Sequence, residues 1–289
     1  MRLSSISRPR GAQQVSFRNT SSVSRILLEF RAAFVKDLRS YIRYPAWVAG
    51  DLVSTPLWFF LFAPGVVIFS PTGEGSSAQT TSFLYLGFLF VVLFSTILWG
   101  IGQSVRNEQM AGTLEQFLLA PANRMTLIIG RWARVFLTDG IIMGYTTLLI
   151  SMVQGLPIVL LDPPLFLFSL MLFELGVIGL GLLFAGLTMR IKSYNTISNL
   201  VFFGYIILTG ALFPIAIVPL PFRYVSMMIP FTYFIDLMRH AAIDTATILP
   251  ETLEVATAML LAVVMVLVGS FSFKRIERQA RVLGSVAAS

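Results

Sequence analysis

The residues best suited to chemistry are a few ionisable side chains in a largely apolar chain. Asp51, Asp139 and Glu174 lie inside hydrophobic segments, and His240 is the only histidine. A single histidine excludes a histidine-rich metal site and the H-E-x-x-H pattern of zinc proteases. The chain has no cysteine, which excludes disulfides and thiolate metal sites. We therefore predict no catalytic residue and no metal site, because no nucleophile, acid or base is grouped with a partner.

Glu174 is the deepest of the three acids, near the middle of its hydrophobic segment. An Asp at the centre of a bilayer helix costs about 2.5–3.5 kcal/mol on insertion scales, and Glu is comparable. Glu174 is therefore a candidate for a polar spot in a transport path or a proton-linked site. The alternative is a protonated or hydrogen-bonded packing residue. Asp139 has Arg131 and Arg134 close in sequence, which favours a structural ion pair.

An aromatic group and two sets of glycines also stand out in the apolar segments. Pocket walls are commonly aromatic, so Phe202, Phe203 and Tyr205 are candidates for lining a substrate route, with contact to lipid as the alternative. Small residues let membrane helices approach closely, which predicts helix packing and leaves a dimer seam as an alternative. The glycines concerned are Gly140, Gly144, Gly176, Gly179, Gly181 and Gly186.

The composition belongs to a membrane protein. Of 289 residues, 56% are hydrophobic and 12% are charged, whereas soluble domains average about 25% charged. The apolar residues form blocks of about 20, the length that crosses a bilayer as a helix. We predict an all-α membrane protein with six transmembrane helices. The predicted spans are 46–69, 82–102, 132–153, 164–189, 196–217 and 251–273.

The basic residues predict the topology of these spans. Of the 21 lysines and arginines, 19 lie in the two termini, between residues 106 and 134, and in the connection after the fourth span. The connection 218–250 has only Arg223 and Arg239. Short basic loops stay in the cytoplasm, so both termini are predicted to be cytoplasmic in a multi-pass protein of the cell membrane. The net charge of +7 is explained by topology, and no nucleic-acid partner is predicted.

Three segments flank the predicted permease domain, 46–273. Residues 1–22 are rich in arginine and serine, which predicts a disordered basic cytoplasmic tail, with an organellar transit peptide as the alternative. Residues 23–45 place apolar side chains at three- and four-residue steps opposite a basic face, typical of an amphipathic helix in the membrane interface. Packing on a partner protein is the alternative. Residues 274–289 are predicted to be a cytoplasmic tail.

A polar stretch from Asn107 to Arg124 interrupts the apolar chain after the second span. Thr113 is a good N-cap, and Gln116 three positions later completes a capping-box pattern. Pro121 would stop the helix that these residues start. The pattern predicts a short cytoplasmic helix over 114–120, with apolar side chains on one side and carboxylate and amide groups on the other.

Two passages resemble a known family. The run EQMAGTLEQFLLAP, from Glu108 to Pro121, resembles the signature of ATP-binding-cassette type-2 exporter permeases, in which this segment contains the coupling helix. The passage from Gly210 to Arg239 is similar to the part of that family in which short helices re-enter the outer leaflet between spans five and six. The six spans, the interfacial helix and the cytoplasmic ends agree with the resemblance, which covers nearly the whole chain.

The resemblance implies roles for particular residues. The coupling helix would contact an ATPase through a segment that contains Glu108, Gln109, Gly112, Thr113, Leu114, Glu115, Gln116 and Phe117. The re-entrant motif would comprise Phe213, Pro214, Pro221, Pro230, Tyr233 and Arg239. The 289 residues contain no G-x-x-x-x-G-K-[ST] motif, so ATP and Mg would be bound by a separate partner and no cofactor by this chain. Two ATPase subunits, a second permease copy or homologue, and membrane lipids are the implied partners.

The resemblance implies the membrane subunit of an ATP-driven exporter for a lipophilic or amphipathic compound, such as a drug, a lipid or a lipid-linked glycan. One alternative is an ion-coupled secondary carrier that acts without an ATPase. Such carriers often contain paired repeats with broken helices, and no internal repeat is evident here. The other alternative is a membrane-embedded lipid-modifying enzyme, for which the chain offers no constellation of reactive groups.

Overall fold

Most of the described part of the chain is helical. The computed structural model describes residues 22–68, 78–102, 106, 110, 112, 123–154, 160–188, 194–212, 215 and 218–283, and these contain no strand. A helix satisfies its backbone hydrogen bonds internally, which is what a bilayer interior demands of a spanning segment. The helices are α1 (Ser22–Arg43), α2 (Pro45–Ile68), α3 (Ala78–Thr96), α4 (Arg124–Gln154), α5 (Pro163–Thr188), α6 (Tyr194–Leu208), α7 (Leu220–Met228), α8 (Pro230–Ile243) and α9 (Glu251–Leu283).

Four helices in these ranges are long and apolar enough to cross a membrane. They cover Ser82–Gly100, Arg124–Val153, Pro163–Thr188 and Glu251–Gln279. These positions are those of the predicted second, third, fourth and sixth spans. The prediction of an all-α membrane protein is therefore confirmed, and four of its six predicted spans coincide with candidate membrane helices.

The helices at the first and fifth predicted spans are not among these four candidates. Helix α2 has 24 residues and covers the first predicted span, but it is not among the four membrane-spanning candidates. Helix α6 has 15 residues. At a rise of 1.5 Å per residue it is roughly 22 Å long, which is less than the roughly 30 Å of hydrocarbon in a bilayer. The count of six stays a prediction for these two helices.

The sequence predicts a fifth span over 196–217, but the helix in this region does not run that far. Helix α6 ends at Leu208, and irregular backbone follows over residues 209–212. Gly210 has a φ of 74°, in the left-handed region that favours glycine and ends helices. The predicted C-terminal boundary is therefore wrong, because apolar character alone does not reveal where the backbone turns.

Two prolines divide the following connection into a pair of short helices. Pro221 lies in the first turn of α7, and Pro230 opens α8. Proline is favoured in a first turn, where its missing N–H has no helical partner to lose. The sequence predicts two short helices in this region, and two are observed. Their depth relative to a membrane stays a prediction.

Helices α5 and α9 form the closest pair in the fold. A β-carbon built at Gly179 would lie 2.5 Å from the carbonyl carbon and oxygen of Met265, and Gly269 faces the Gly179 backbone. Only residues without a side chain permit this approach. The packing prediction is therefore confirmed for Gly176, Gly179 and Gly186 of the fourth span. At Gly140 and Gly144 a β-carbon would meet no described atom within 4 Å, so the dimer alternative is left untested there.

We expect the substitution Gly179→Val to destabilise the chain strongly. Its side chain would overlap the α9 backbone, and overpacking of this kind typically costs about 1–3 kcal/mol or more. Gly140→Val is the matched control, because its β-carbon has open space. The thermal unfolding midpoint of each purified variant in detergent measures the difference. Equal midpoints for the two variants would show that α5 and α9 are not in backbone contact.

Candidate functional site

The polar stretch 107–124 is described only in part. Glu108, Gln109, Thr113, Leu114, Glu115, Gln116 and Phe117 lie outside the described residues. Gly112 is described and has a φ of 68°, in the left-handed region. Since a β-carbon there would meet nothing within 4 Å, the requirement for glycine comes from the backbone and not from space.

The stretch ends where a carboxylate of α1 meets the start of α4. Glu29 Oε2 accepts a hydrogen bond of 3.0 Å from the backbone N–H of Asn123. Asn123 in turn caps α4, because its Oδ1 accepts a hydrogen bond of 3.1 Å from the backbone N–H of Met125. A carboxylate beside the first turn is also favoured by the helix dipole. The end of the polar stretch is thus fixed to the amphipathic helix.

An ion pair fixes the same place to the last helix. Arg124 Nη1 lies 3.0 Å from Glu277 Oε1, and the two side chains are only 10% and 13% exposed. Removing one partner of a buried pair leaves a charge without compensation, which is far more costly than losing a surface pair. Arg124 is the first residue of α4, so α9 is connected directly to the end of the polar stretch.

Close packing of α1 on α4 supports both contacts. A β-carbon at Gly130 would lie 2.8 Å from Cβ of Ala33 and 2.9 Å from the carbonyl oxygen of Phe30. At the other end of α1, the hydroxyl of Tyr41 donates a hydrogen bond of 2.8 Å to Asp51 Oδ2 of α2. Helix α1 is therefore attached to α2 and α4, in contrast to a helix that only rests on lipid.

The Tyr41 hydroxyl keeps its proton at any physiological pH. Loss of water around the ring and the hydrogen bond to Asp51 raise the pKa of Tyr41 to about 12. Both effects disfavour the phenolate, because a phenolate beside a carboxylate would be a pair of like charges. The guanidinium of Arg134 lies over the Tyr41 ring at 5.3 Å and adds a contact between α1 and α4.

A buried arginine occupies the region of the second motif. Arg239 of α8 is 4% exposed, and its Nη1 and Nη2 donate hydrogen bonds to the carbonyl oxygens of Gly210 and Ala211. Its guanidinium also lies over the ring of Phe83 of α3 at 3.8 Å. These carbonyls belong to the irregular backbone after α6. Arg239 therefore joins α3, α8 and the broken end of α6.

The other described residues of this motif hold the two short helices together. The Tyr233 hydroxyl donates to the carbonyl of Met227 at 2.8 Å, and the Thr232 hydroxyl donates to that of Ser226 at 2.7 Å. Both contacts satisfy carbonyls at the C-terminal end of α7, where helical partners run out. Phe213 and Pro214 lie outside the described residues.

The structure does not bring the candidate path residues together. Glu174 is 6% exposed and accepts a hydrogen bond of 3.1 Å from Trp132 Nε1, which fits the packing alternative. Tyr205 is 4% exposed, stacks on Phe94 at 3.6 Å and donates to a backbone carbonyl of α3. Phe203, by contrast, is 60% exposed. Glu174 and Tyr205 are thus buried packing residues, whereas Phe203 faces outward and is not grouped with them.

Sequence reasoning missed a π-helical turn at the end of α3. This turn, Ile97–Gly102, places Trp99 edge-on to Phe202 of α6 at 4.8 Å. A π-turn leaves a carbonyl without its usual partner, and the buried hydroxyl of Tyr194 donates to Leu98 O. No local sequence pattern distinguishes this turn from an ordinary helical one, so nothing in the sequence could have revealed it.

We expect the substitution Arg124→Gln to destabilise the chain by more than the roughly 0–1 kcal/mol of a surface pair, because the pair of Arg124 with Glu277 is largely shielded from water. Arg25→Gln is the control, since Arg25 is 60% exposed in its pair with Glu29 and surface pairs contribute about 0–1 kcal/mol. Thermal or denaturant unfolding of the purified chain gives both values. The exchanged pair Arg124→Glu with Glu277→Arg should recover most of the loss. Similar stability of the Arg124 and Arg25 variants would contradict the assignment.

Comparison with known proteins identifies the family. A sequence profile of the ABC-2 type transporter family matches residues 15–243, which is most of the 289-residue chain. A comparison with curated proteins finds no match. The matched region includes α1, the polar stretch 107–124 and both short helices α7 and α8, and several of its helices are apolar enough to span a membrane. The chain belongs to the ABC-2 type transporter family, as its membrane permease component.

Proposed function

We propose that this chain is the transmembrane subunit of an ATP-driven exporter that moves a lipophilic or amphipathic compound out of the cytoplasm or inner leaflet. A separate ATPase chain binds ATP and Mg and hydrolyses the nucleotide. Membership of the ABC-2 family supports this division of labour, because the family's permease is a transport subunit and not the ATPase. Two ATPases and a second permease, identical or homologous, complete the assembly.

The observation that carries the proposal is the double attachment at the end of the stretch 107–124. Glu29 of α1 holds the backbone N–H of Asn123, and Glu277 of α9 holds Arg124. A force applied to this stretch by an ATPase would therefore reach α1, α4 and α9 at once. Packed helices move as rigid bodies, so a local push becomes a displacement of whole spans.

We assign the contact with the ATPase to Glu115 and Gln116, with Leu114, Phe117 and Leu118 holding the short helix to the permease. Glu108 and Gln109 brace the region at the end of the second span, and Thr113 caps the helix. The left-handed φ of 68° at Gly112 supports a turn that redirects the chain just before the helix.

The proposed topology has six spans with both termini in the cytoplasm of a cell-membrane protein. Helix α2 and helix α6 with the backbone that follows it supply the two spans beyond the four apolar candidates. The excess of basic residues on one side supports this orientation. Helices α7 and α8 would re-enter the outer leaflet, where Tyr233 satisfies a carbonyl at the end of α7 and Arg239 satisfies the carbonyls of the irregular backbone after α6.

The proposed substrate route follows the outward aromatics. Trp99 is 43% exposed and Phe203 is 60% exposed, on neighbouring helices joined by the contact between Trp99 and Phe202. Aromatic and apolar surface suits a lipophilic cargo. Tyr205 and Glu174 support this route indirectly, because Tyr205 packs α6 against α3 and Glu174 joins α5 to α4.

We expect the double substitution Glu115→Lys and Gln116→Ala to remove most of the substrate stimulation of ATPase activity in the reconstituted complex. The reason is the loss of the contact that transmits the hydrolysis cycle. Glu74→Lys is the control, because the charge bias places residue 74 on the opposite side of the membrane. Membrane expression is measured for each variant to exclude a folding defect. A double variant that assembles, hydrolyses ATP and exports like the parent would refute the proposed contact.

A further inference from the structure

The linker between α8 and α9, residues 244–250, is held by two acids from different helices. Asp236 Oδ2 of α8 accepts a hydrogen bond of 2.8 Å from the backbone N–H of Ile248. Glu254 Oε2 of α9 accepts one of 2.9 Å from the backbone N–H of the next residue, Leu249. Consecutive amides thus bind carboxyl groups from the two helices that the linker connects. This arrangement fixes the linker to both.

The two carboxyl groups are neighbours, because the two amides that they bind belong to consecutive residues. Glu254 is 0% exposed, and its second oxygen, Oε1, is enclosed without a donor from the described residues. Two ionised carboxylates have no hydrogen to share, so neighbouring buried carboxyl groups can hydrogen-bond to each other only when one of them holds a proton. Buried acid pairs of this kind titrate together and retain one proton where a single exposed acid would lose it.

The charged and titratable neighbours on the same two helices do not supply that hydrogen. The Arg239 guanidinium acts on Asp236 by its charge, while its Nη1 and Nη2 donate to Gly210 and Ala211. His240 Nδ1 is 2.7 Å from the carbonyl of Thr245. The Tyr233 hydroxyl donates to the Met227 carbonyl.

Glu251, one turn before Glu254 on α9, is 57% exposed in its side chain and lies 3.9 Å from His240 Nε2. The other helices packed on α8 contribute few titratable groups. Glu174 of α5 accepts from Trp132, and Tyr85 of α3 donates to the carbonyl of Met143. Helix α7 carries Arg223 and Tyr224.

We propose that Asp236 and Glu254 together form a binding site for one proton, and that this proton locks the linker 244–250 to the ends of α8 and α9. With the proton in place, the pair forms a neutral–anionic hydrogen bond and both linker amides stay bound. Without it, two like charges face each other in a buried site, and α8 and α9 separate at this end. That this end faces outside rests on the topology in the proposed function.

The direction of the pH response follows from the burial of Asp236. Loss of water around this carboxyl raises the pKa of Asp236 above its ordinary value. A group whose pKa is raised in the folded state stabilises that state at low pH, and this stabilisation is lost as the pH rises above the ordinary carboxyl range. The lock is therefore closed in acid and opens as the medium becomes more alkaline. A linker freed in this way would loosen the attachment of α8.

A spin label on the linker tests the lock in the full-length chain. Ala246 is exposed, and the chain has no cysteine, so Ala246→Cys gives a single labelling site. The label is read by electron paramagnetic resonance in nanodiscs between about pH 5 and about pH 9, a range that spans shifted carboxyl groups. We expect label mobility to rise with pH in the parent. A flat response over this range would overturn the proposal.

Two substitutions and one control sharpen the result. Glu254→Gln should abolish the pH response and keep the label immobile, because an amide replaces the protonated acid and supplies its own hydrogen. Asp236→Asn is the second variant and should behave likewise if Glu254→Gln fails to fold. Glu251→Gln, the exposed acid on the same helix, should keep the parent response. A pH response retained in both Glu254→Gln and Asp236→Asn would contradict the lock. No ATPase is needed, so failure here is distinct from failure of the proposed function.

Discussion

The fold depends on the guanidinium of Arg239, which holds the carbonyls of Gly210 and Ala211 inside the protein. Backbone that leaves the helical pattern in an apolar environment has polar groups without partners, and each such group costs several kcal/mol in a bilayer. Arg239 supplies the missing donors, and the ring of Phe83 covers its face. Because Gly87 has no side chain, the Ala211 carbonyl can approach α3 closely. One side chain therefore permits α6 to end early and α8 to pack in the core.

Helix α9 connects the two ends of the molecule. It has 33 residues, which at 1.5 Å per residue is roughly 50 Å. Glu254 lies near its first turn and binds the linker, whereas Glu277 lies near its other end and pairs with Arg124. Between them, Gly269 packs α9 against α5 by backbone contact. A displacement at the start of α4 would thus reach the linker after α8 through a single stiff helix, which is the mechanical link that the proposed coupling to an ATPase needs.

Local patterns predicted the helices, and long-range contacts account for what they missed. Apolar blocks located the four candidate membrane helices, and Pro221 and Pro230 marked the short helices because proline acts on its own turn. The early end of α6 at Leu208 depends on a donor, Arg239, on another helix. The anchor between Glu29 and Asn123 joins residues 94 positions apart. No sequence periodicity encodes such a contact. The sequence likewise does not show that Phe203 is exposed and Tyr205 is buried, because that difference depends on how the helices pack.

Amide hydrogen exchange across residues 209–212, compared between the parent and an Arg239→Met variant, shows whether Arg239 holds this backbone in place. Methionine replaces the hydrocarbon part of the arginine side chain but donates no hydrogen bond. The carbonyls of the irregular backbone after α6 therefore lose their donors. We expect faster exchange in this segment of the variant than in the parent, while the amides of α5 and α9 stay protected, since exchange reports local opening. Arg275→Met, which removes an exposed cation of α9, should leave the segment unchanged. Equal exchange rates at 209–212 in the Arg239→Met variant and in the parent would contradict this role of Arg239.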